Sequence, residues 1–138
     1  MSNDLGLLLL RAQRDFEQRL VEGLTTREHG LTPAQVAVVL HLGPDGTRLG
    51  SIAAKVGTTK QAVGQVVDQL EALSYVERAP DPADARARLV RPTKKGQALI
   101  AEARAVSAGI RRDWKKRLGA DRLTALEDAL TALENGES

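Results

Sequence analysis

Apolar positions recur with helical spacing along most of this chain, and the clearest case lies near its middle. Within TTKQAVGQVVDQLEAL, residues 58–73, Val63, Val66, Val67 and Leu70 fall at i, i+3, i+4 and i+7 and share one face. Gln61, Gly64, Gln65 and Asp68 take the opposite face, which is polar, nearly uncharged and built from short or amide side chains. Ahead of this helix, residues 51–56 predict a short helix packing through Ile52, Ala53 and Val56, with Gly50 as its cap. Gly57 allows a tight turn, and Thr59 is placed to cap the next helix with Lys60 at its first position. Two short helices joined at a glycine-containing turn form a helix-turn-helix. Behind it, residues 75–79 and 88–91 read as short extended segments around the turn-rich Pro80-Asp81-Pro82-Ala83-Asp84-Ala85. A recognition helix followed by a basic hairpin is the layout of a winged helix-turn-helix.

The flanks are helical. A first helix spans about residues 4–25, with Leu9, Ala12, Phe16, Leu20 and Leu24 on one stripe and Arg11, Arg14, Glu17 and Glu22 off it. That stripe suits a dimer-forming helix or an ordinary core helix. Thr32-Pro33-Ala34-Gln35 combines an N-cap, a first-position proline and a capping-box glutamine, and opens a second helix buried through Val36, Val39 and Leu40. Gly43-Pro44-Asp45-Gly46 ends it. Pro92-Thr93 starts a long helix with Thr93 as cap and Leu99, Ala103, Val106, Ile110 and Leu118 as its stripe, Trp114 beside it. Gly119 breaks this helix, and Asp121 is a candidate cap for a last one holding Leu123, Leu126, Leu130 and Leu133. The fold class is mainly α with a small β-hairpin wing: a winged helix-turn-helix at 32–92, with dimerisation helices at 4–28 and 93–134 inside a single 1–138 unit.

Composition narrows this picture. Aromatic residues make up 2% of the chain, so the core is aliphatic, thin, and helped by a second copy. Net charge is only +2, yet residues 47–95 hold nine Lys or Arg against five Asp or Glu, leaving the ends acidic. Cysteine is absent, which excludes disulfides, thiolate nucleophiles and thiol redox sensing. The apolar run at residues 5–10 is too short to span a membrane and follows no cationic segment, so a cytoplasmic location without membrane contact is expected.

Candidate chemistry concentrates on nucleic acid. An amide side chain donates and accepts at once, which suits the edge of an adenine in the major groove, so Gln61 and Gln65 are the expected base readers. Thr59 and Lys60 open the same helix, and a glycine at Gly64, which costs about 1 kcal/mol relative to alanine, fits close approach to DNA or simple tolerance on an exposed face. Arg86 and Arg88, two apart on a strand, point the same way and suit a minor groove, unless the hairpin is only a solvated charged turn. Lys94 and Lys95 lie in the first turn of a helix, where the dipole disfavours cations, which fits either a nearby phosphate or a plain exposed pair. His29, in a polar loop, and His41, inside a helix, read as structural or surface residues. No nucleophile–base pair, carboxylate cluster or phosphate-cradling glycine loop suggests catalysis, so no enzyme, cofactor or metal is expected. A winged helix used only for protein–protein contact is the competing reading. With thiols excluded and a transition-metal site disfavoured, a small organic ligand is left as effector, or none.

Over nearly its full length the chain resembles the MarR family of transcriptional regulators. The resemblance rests on Leu31-Thr32-Pro33-Ala34-Gln35, on Ile52-Ala53 with Val56-Gly57, on Leu70-Glu71 with Tyr75-Val76-Glu77-Arg78, and above all on Asp81-Pro82-Ala83-Asp84-Ala85-Arg86 followed by Val90, Thr93 and Gly96. It departs in three places: Ala85 replaces the first of the usual paired arginines, Pro92 replaces an apolar residue, and Ser74 replaces the usual helix-ending glycine. The resemblance implies a homodimer held by its N- and C-terminal helices on double-stranded DNA, with Asp84 and Arg86 holding the wing. It also implies repression relieved by a small, often aromatic or anionic, ligand. Two recognition helices entering successive major grooves would lie about 34 Å apart on a pseudo-palindrome.

Overall fold

A computed structural model describes residues 4–25 and 28–136. The order is α1 (Leu5–Thr25), α2 (Pro33–Leu40), α3 (Leu49–Val56), α4 (Lys60–Ala72), β1 (Val76–Asp81), β2 (Asp84–Pro92), α5 (Lys94–Leu118) and α6 (Ala120–Glu134). Thr26 and Arg27, near the end of the expected N-terminal dimerisation stretch, lie outside the described residues.

The capping signals act as the sequence predicts. The Thr32 side chain accepts from the Gln35 N–H at 3.2 Å and the Gln35 side chain accepts from the Thr32 N–H at 2.9 Å, closing a capping box. Thr59 and Thr93 cap α4 and α5 by accepting from the N–H groups of Ala62 and Gly96, both at 3.1 Å. Two helix starts differ from expectation. Arg48, not Gly50, is the N-cap residue of α3, and Gly119, not Asp121, precedes α6, leaving Asp121 in its first turn. His41 sits at the C-cap of α2 rather than inside it, with Nδ1 2.6 Å from the Ala37 carbonyl oxygen.

The hairpin is longer and tighter than its sequence suggests. Both strands extend into the expected loop, and Pro82 and Ala83 alone connect them. The register pairs Val76 with Pro92, Arg78 with Val90 and Pro80 with Arg88, with an irregularity after Pro80. Thr47 adds a third rung: its N–H and carbonyl exchange hydrogen bonds with Val90, each 2.9 Å. Gly46 makes this possible, because at φ +109° any Cβ would lie 2.8 Å from Leu89 Cβ.

One continuous aliphatic core underlies the winged unit. Val38, Val39, Ile52, Val63, Val67, Leu70, Val76, Val90 and Leu99 are almost fully buried, so α2, α3, α4, the hairpin and the start of α5 share it. The long helices extend it. Leu20 and Leu24 of α1 face Ala103 and Ile110 of α5, Phe16 meets Trp114 edge to face at 5.9 Å between ring centroids, and Arg19 pairs with Asp113 at 3.1 Å. Leu123 docks α6, and Arg111 binds Glu127 through two bonds. At the outer ends the stripes run out of partners: Leu5, Leu7, Leu8, Leu9 and Leu10 of α1 and Leu130 and Leu133 of α6 stay exposed. Among the described residues no helix is long and apolar enough to cross a membrane.

Candidate nucleic-acid interface

The helix-turn-helix forms because Gly57 closes α3 in the left-handed conformation, φ +80°, and returns its N–H to the Ala53 carbonyl at 2.9 Å. Ile52 and Ala53 then pack against the Val63, Val67 and Leu70 face of α4. This leaves Thr59, Lys60, Gln61 and Gln65 exposed on the opposite side, with Gly64 partly exposed among them. A Cβ at Gly64 would meet nothing within 4 Å, so no contact within this chain requires a glycine there. Asp68, expected on the reading face, is engaged elsewhere: it and Glu71 bind Arg78 of β1 at 2.8 and 2.7 Å. These bonds, Asp68's first, raise the Arg78 pKa above its ordinary value.

The wing is anchored by two residues that sequence reasoning passed over. Asp81 is buried at the end of β1, accepting the Ala83 N–H at 2.9 Å through one oxygen and Arg48 Nε at 2.7 Å through the other. Those bonds, the Ala83 amide first and Arg48 second, hold its carboxyl below the usual carboxylate range. Asp84, expected to stabilise the wing, accepts the backbone N–H of Arg86 at 3.0 Å, an Asx-type turn that shapes the start of β2. Aspartate in a turn motif signals such local bonds, but nothing in the sequence marks Arg48 as the distant partner of Asp81.

The nine cations of residues 47–95 sort into two groups. Arg48, Arg78 and Arg91 each bind carboxylates of this chain, and Lys95 donates to the Leu73 carbonyl at 2.9 Å while lying over the Tyr75 ring. Lys95 thereby binds a carbonyl at the C-terminal end of α4 while remaining exposed. Lys55, Lys60, Arg86, Arg88 and Lys94 have no carboxylate partner among the described residues, and all five are exposed. Lys60 stands at the start of α4, Arg86 and Arg88 on β2, and Lys94 at the start of α5.

Behind this surface a cavity of about 530 Å³ opens between α1, α2 and α5, lined by Phe16, Leu20, Leu40, Leu42, Ile100 and Arg104 among others. Arg104 is the exposed cation at its edge and has no protein partner among the described residues. Among the described residues no group of three or more His, Cys, Asp or Glu is placed to hold a metal.

A helix-turn-helix backed by a hairpin and carried between long helices defines a winged-helix protein. A sequence model described as the MarR family matches residues 29–87, from the turn before α2 into the wing. Solved structures share the fold over nearly the whole chain. CouR from Rhodococcus jostii RHA1, crystallised with p-coumaroyl-CoA, is 23% identical, with 95% of this chain and 92% of that one covered at a TM-score of 0.80. The transcriptional regulator Tm0710 from Thermotoga maritima is 27% identical over 94% and 91%, TM-score 0.61. Apo MarR from E. coli is 24% identical over 96% and 98%, TM-score 0.76. No curated protein sequence matches the chain significantly. The chain thus matches the MarR family model across its winged-helix region and shares the winged-helix fold of these regulators.

Proposed function

We propose that the chain binds double-stranded DNA as a homodimer on a pseudo-palindromic operator and acts as a repressor. The observation that carries this is the sorting of cations. Arg48, Arg78 and Arg91 are bound by the chain's own carboxylates, whereas Lys60, Arg86, Arg88 and Lys94 of the expected contact surface, together with Lys55, are exposed and have no carboxylate partner among the described residues. Leaving such charges unpaired is favourable where phosphates replace the missing carboxylates and counterions are released. Gln61 and Gln65 then read base edges, Thr59 and Gly64 let α4 approach closely, and the two arginines of β2 reach the minor groove.

The dimer is supported by the leucines that α1 and α6 leave exposed, apolar surface that a second copy would cover. Ligand release is supported by the cavity: an apolar lining with Arg104 at its edge suits a small molecule with a hydrophobic body and an anionic group. CouR, bound to p-coumaroyl-CoA, is a relative of this fold that takes such a molecule.

Selection of random duplex DNA by the purified protein, at two salt concentrations, tests the reading. Enrichment of a pseudo-palindrome with half-sites one helical turn apart, lost steeply with salt, is the expected result. Absence of enrichment at both concentrations would refute it and favour a winged helix that contacts protein instead.

A further inference from the structure

The end of α4 meets the start of α5 at Tyr75, where a dense set of bonds pins the backbone. Thr93 donates its hydroxyl to the Ser74 carbonyl at 2.6 Å and its N–H to the Tyr75 carbonyl at 3.1 Å. Lys95 reaches the Leu73 carbonyl and covers the Tyr75 ring, 4.3 Å from its centroid. All these partners cluster at one spot, and by themselves they form a pivot.

The Tyr75 side chain carries a second attachment. Its hydroxyl lies 2.8 Å from Nδ1 of His29, and Nε2 of the same imidazole meets the Glu102 carboxylate. Glu102 is about 9 Å further along α5 than Gly96, at a rise of 1.5 Å per residue. Two attachments so far apart fix an angle where one leaves a hinge. His29 comes from the segment following α1, so its ring joins three elements, and its side chain is only 15% exposed. The tautomer protonated at Nε2 satisfies both neighbours, donating to Glu102 and accepting from the Tyr75 hydroxyl. Apolar side chains would join these elements without desolvation cost. A polar relay tolerates far less variation in geometry, because each atom must stay in hydrogen-bond reach. The turn of α5 that carries Glu102 also supplies Ile100, Ala101, Ala103 and Arg104 to the cavity wall.

We infer that His29 is the positioning residue that fixes the angle of α4 against α5, and that displacement of the 100–104 turn alters this angle through Glu102. The angular role stands on the fold, and its meaning for DNA rests on the function proposed above. Rotating α4 by about 10° about its C-terminal end moves its start, about 20 Å away, by about 3 Å. That displacement takes Gln61 out of hydrogen-bond reach of a base.

The absence of native cysteine makes the angle measurable. Spin labels on Gln65→Cys and Lys115→Cys, diluted with excess unlabelled protein, report one intrachain distance between α4 and α5. A narrow distribution is expected for the parent. His29→Ala and Glu102→Ala should each broaden or shift it by about 2 Å, the displacement of a rotation of about 10° at Gln65, about 10 Å from the C-terminal end of α4, with helical content retained. His29→Gln, whose amide donates and accepts, should restore the narrow distribution. Unchanged distributions in folded His29→Ala and Glu102→Ala would overturn the inference, whatever the DNA experiment gives. So would a change seen only together with loss of helical content in both variants. A clear shift in a protein whose parent form selects no DNA sequence would sustain the positioning role and refute the DNA-binding reading alone.

Discussion

Arg48 and Asp81, 33 residues apart, close the wing onto the third helix: Arg48 Nε donates to Asp81 Oδ2 at 2.7 Å, and the same carboxylate takes the Ala83 N–H. The carboxyl is therefore depressed in the folded state relative to its ordinary value of 3.8. A depressed carboxyl contributes stability above its unfolded pKa and loses it as pH falls through the lower folded value. As pH falls below about 4 the melting temperature of the parent should therefore fall more steeply than that of Asp81→Asn, which has no charge to lose. Parallel curves in thermal melts across that range would contradict the anchor.

Gly64 and Gly96 should respond oppositely to alanine. Gly64 has open space around a Cβ, so Gly64→Ala gains about 1 kcal/mol of helix propensity and raises the denaturation midpoint. On the proposed DNA surface the same methyl obstructs close approach, and operator affinity should drop several-fold. At Gly96 a Cβ would lie 2.1 Å from the Tyr75 carbonyl oxygen, a backbone atom that cannot step aside. Gly96→Ala should cost about 3 kcal/mol or more, measured by urea unfolding.

Ser74 ends α4 with φ +66°, a left-handed conformation that a side chain resists. Ser74→Gly should stabilise the protein by about 1 kcal/mol, seen as a higher denaturant midpoint at unchanged slope. A lower midpoint would show that the serine makes a compensating contact.

Arginines that look equivalent in the sequence should separate in salt titrations. Arg86→Ala removes an uncompensated cation and should lower the slope of log affinity against log salt by about one. Arg78→Ala removes a cation already bound to Asp68 and Glu71, and the slope should hold. Equal losses would mean the cations do not sort as proposed.

What the sequence revealed of this fold was local. Caps at Thr32, Thr59 and Thr93 and the valine face of α4 are signals confined to one helical turn or one face, and the structure reproduces them. The strand ends were hidden because Pro80 and Pro82 read as turn formers, whereas Pro80 is accommodated within β1 opposite Arg88. The carbonyl partner of Lys95 was hidden for a related reason, since it lies at the end of a different helix. The His29–Tyr75–Glu102 relay and the Arg48–Asp81 pair join residues distant in sequence, and residue spacing carries no trace of such pairings.

The bridge between Thr47 and Val90 has a consequence for the molecule in a crowded solution. A two-stranded ribbon ordinarily offers two open edges to strands of other chains. Here Thr47 occupies part of one edge, beside β2. Along β1, Pro80 has no N–H to offer, and Glu77 and Arg78 hold opposite charges nearby. A hairpin built to project from the surface is in this way a poor template for strand addition, and the protein can expose its wing without seeding aggregates.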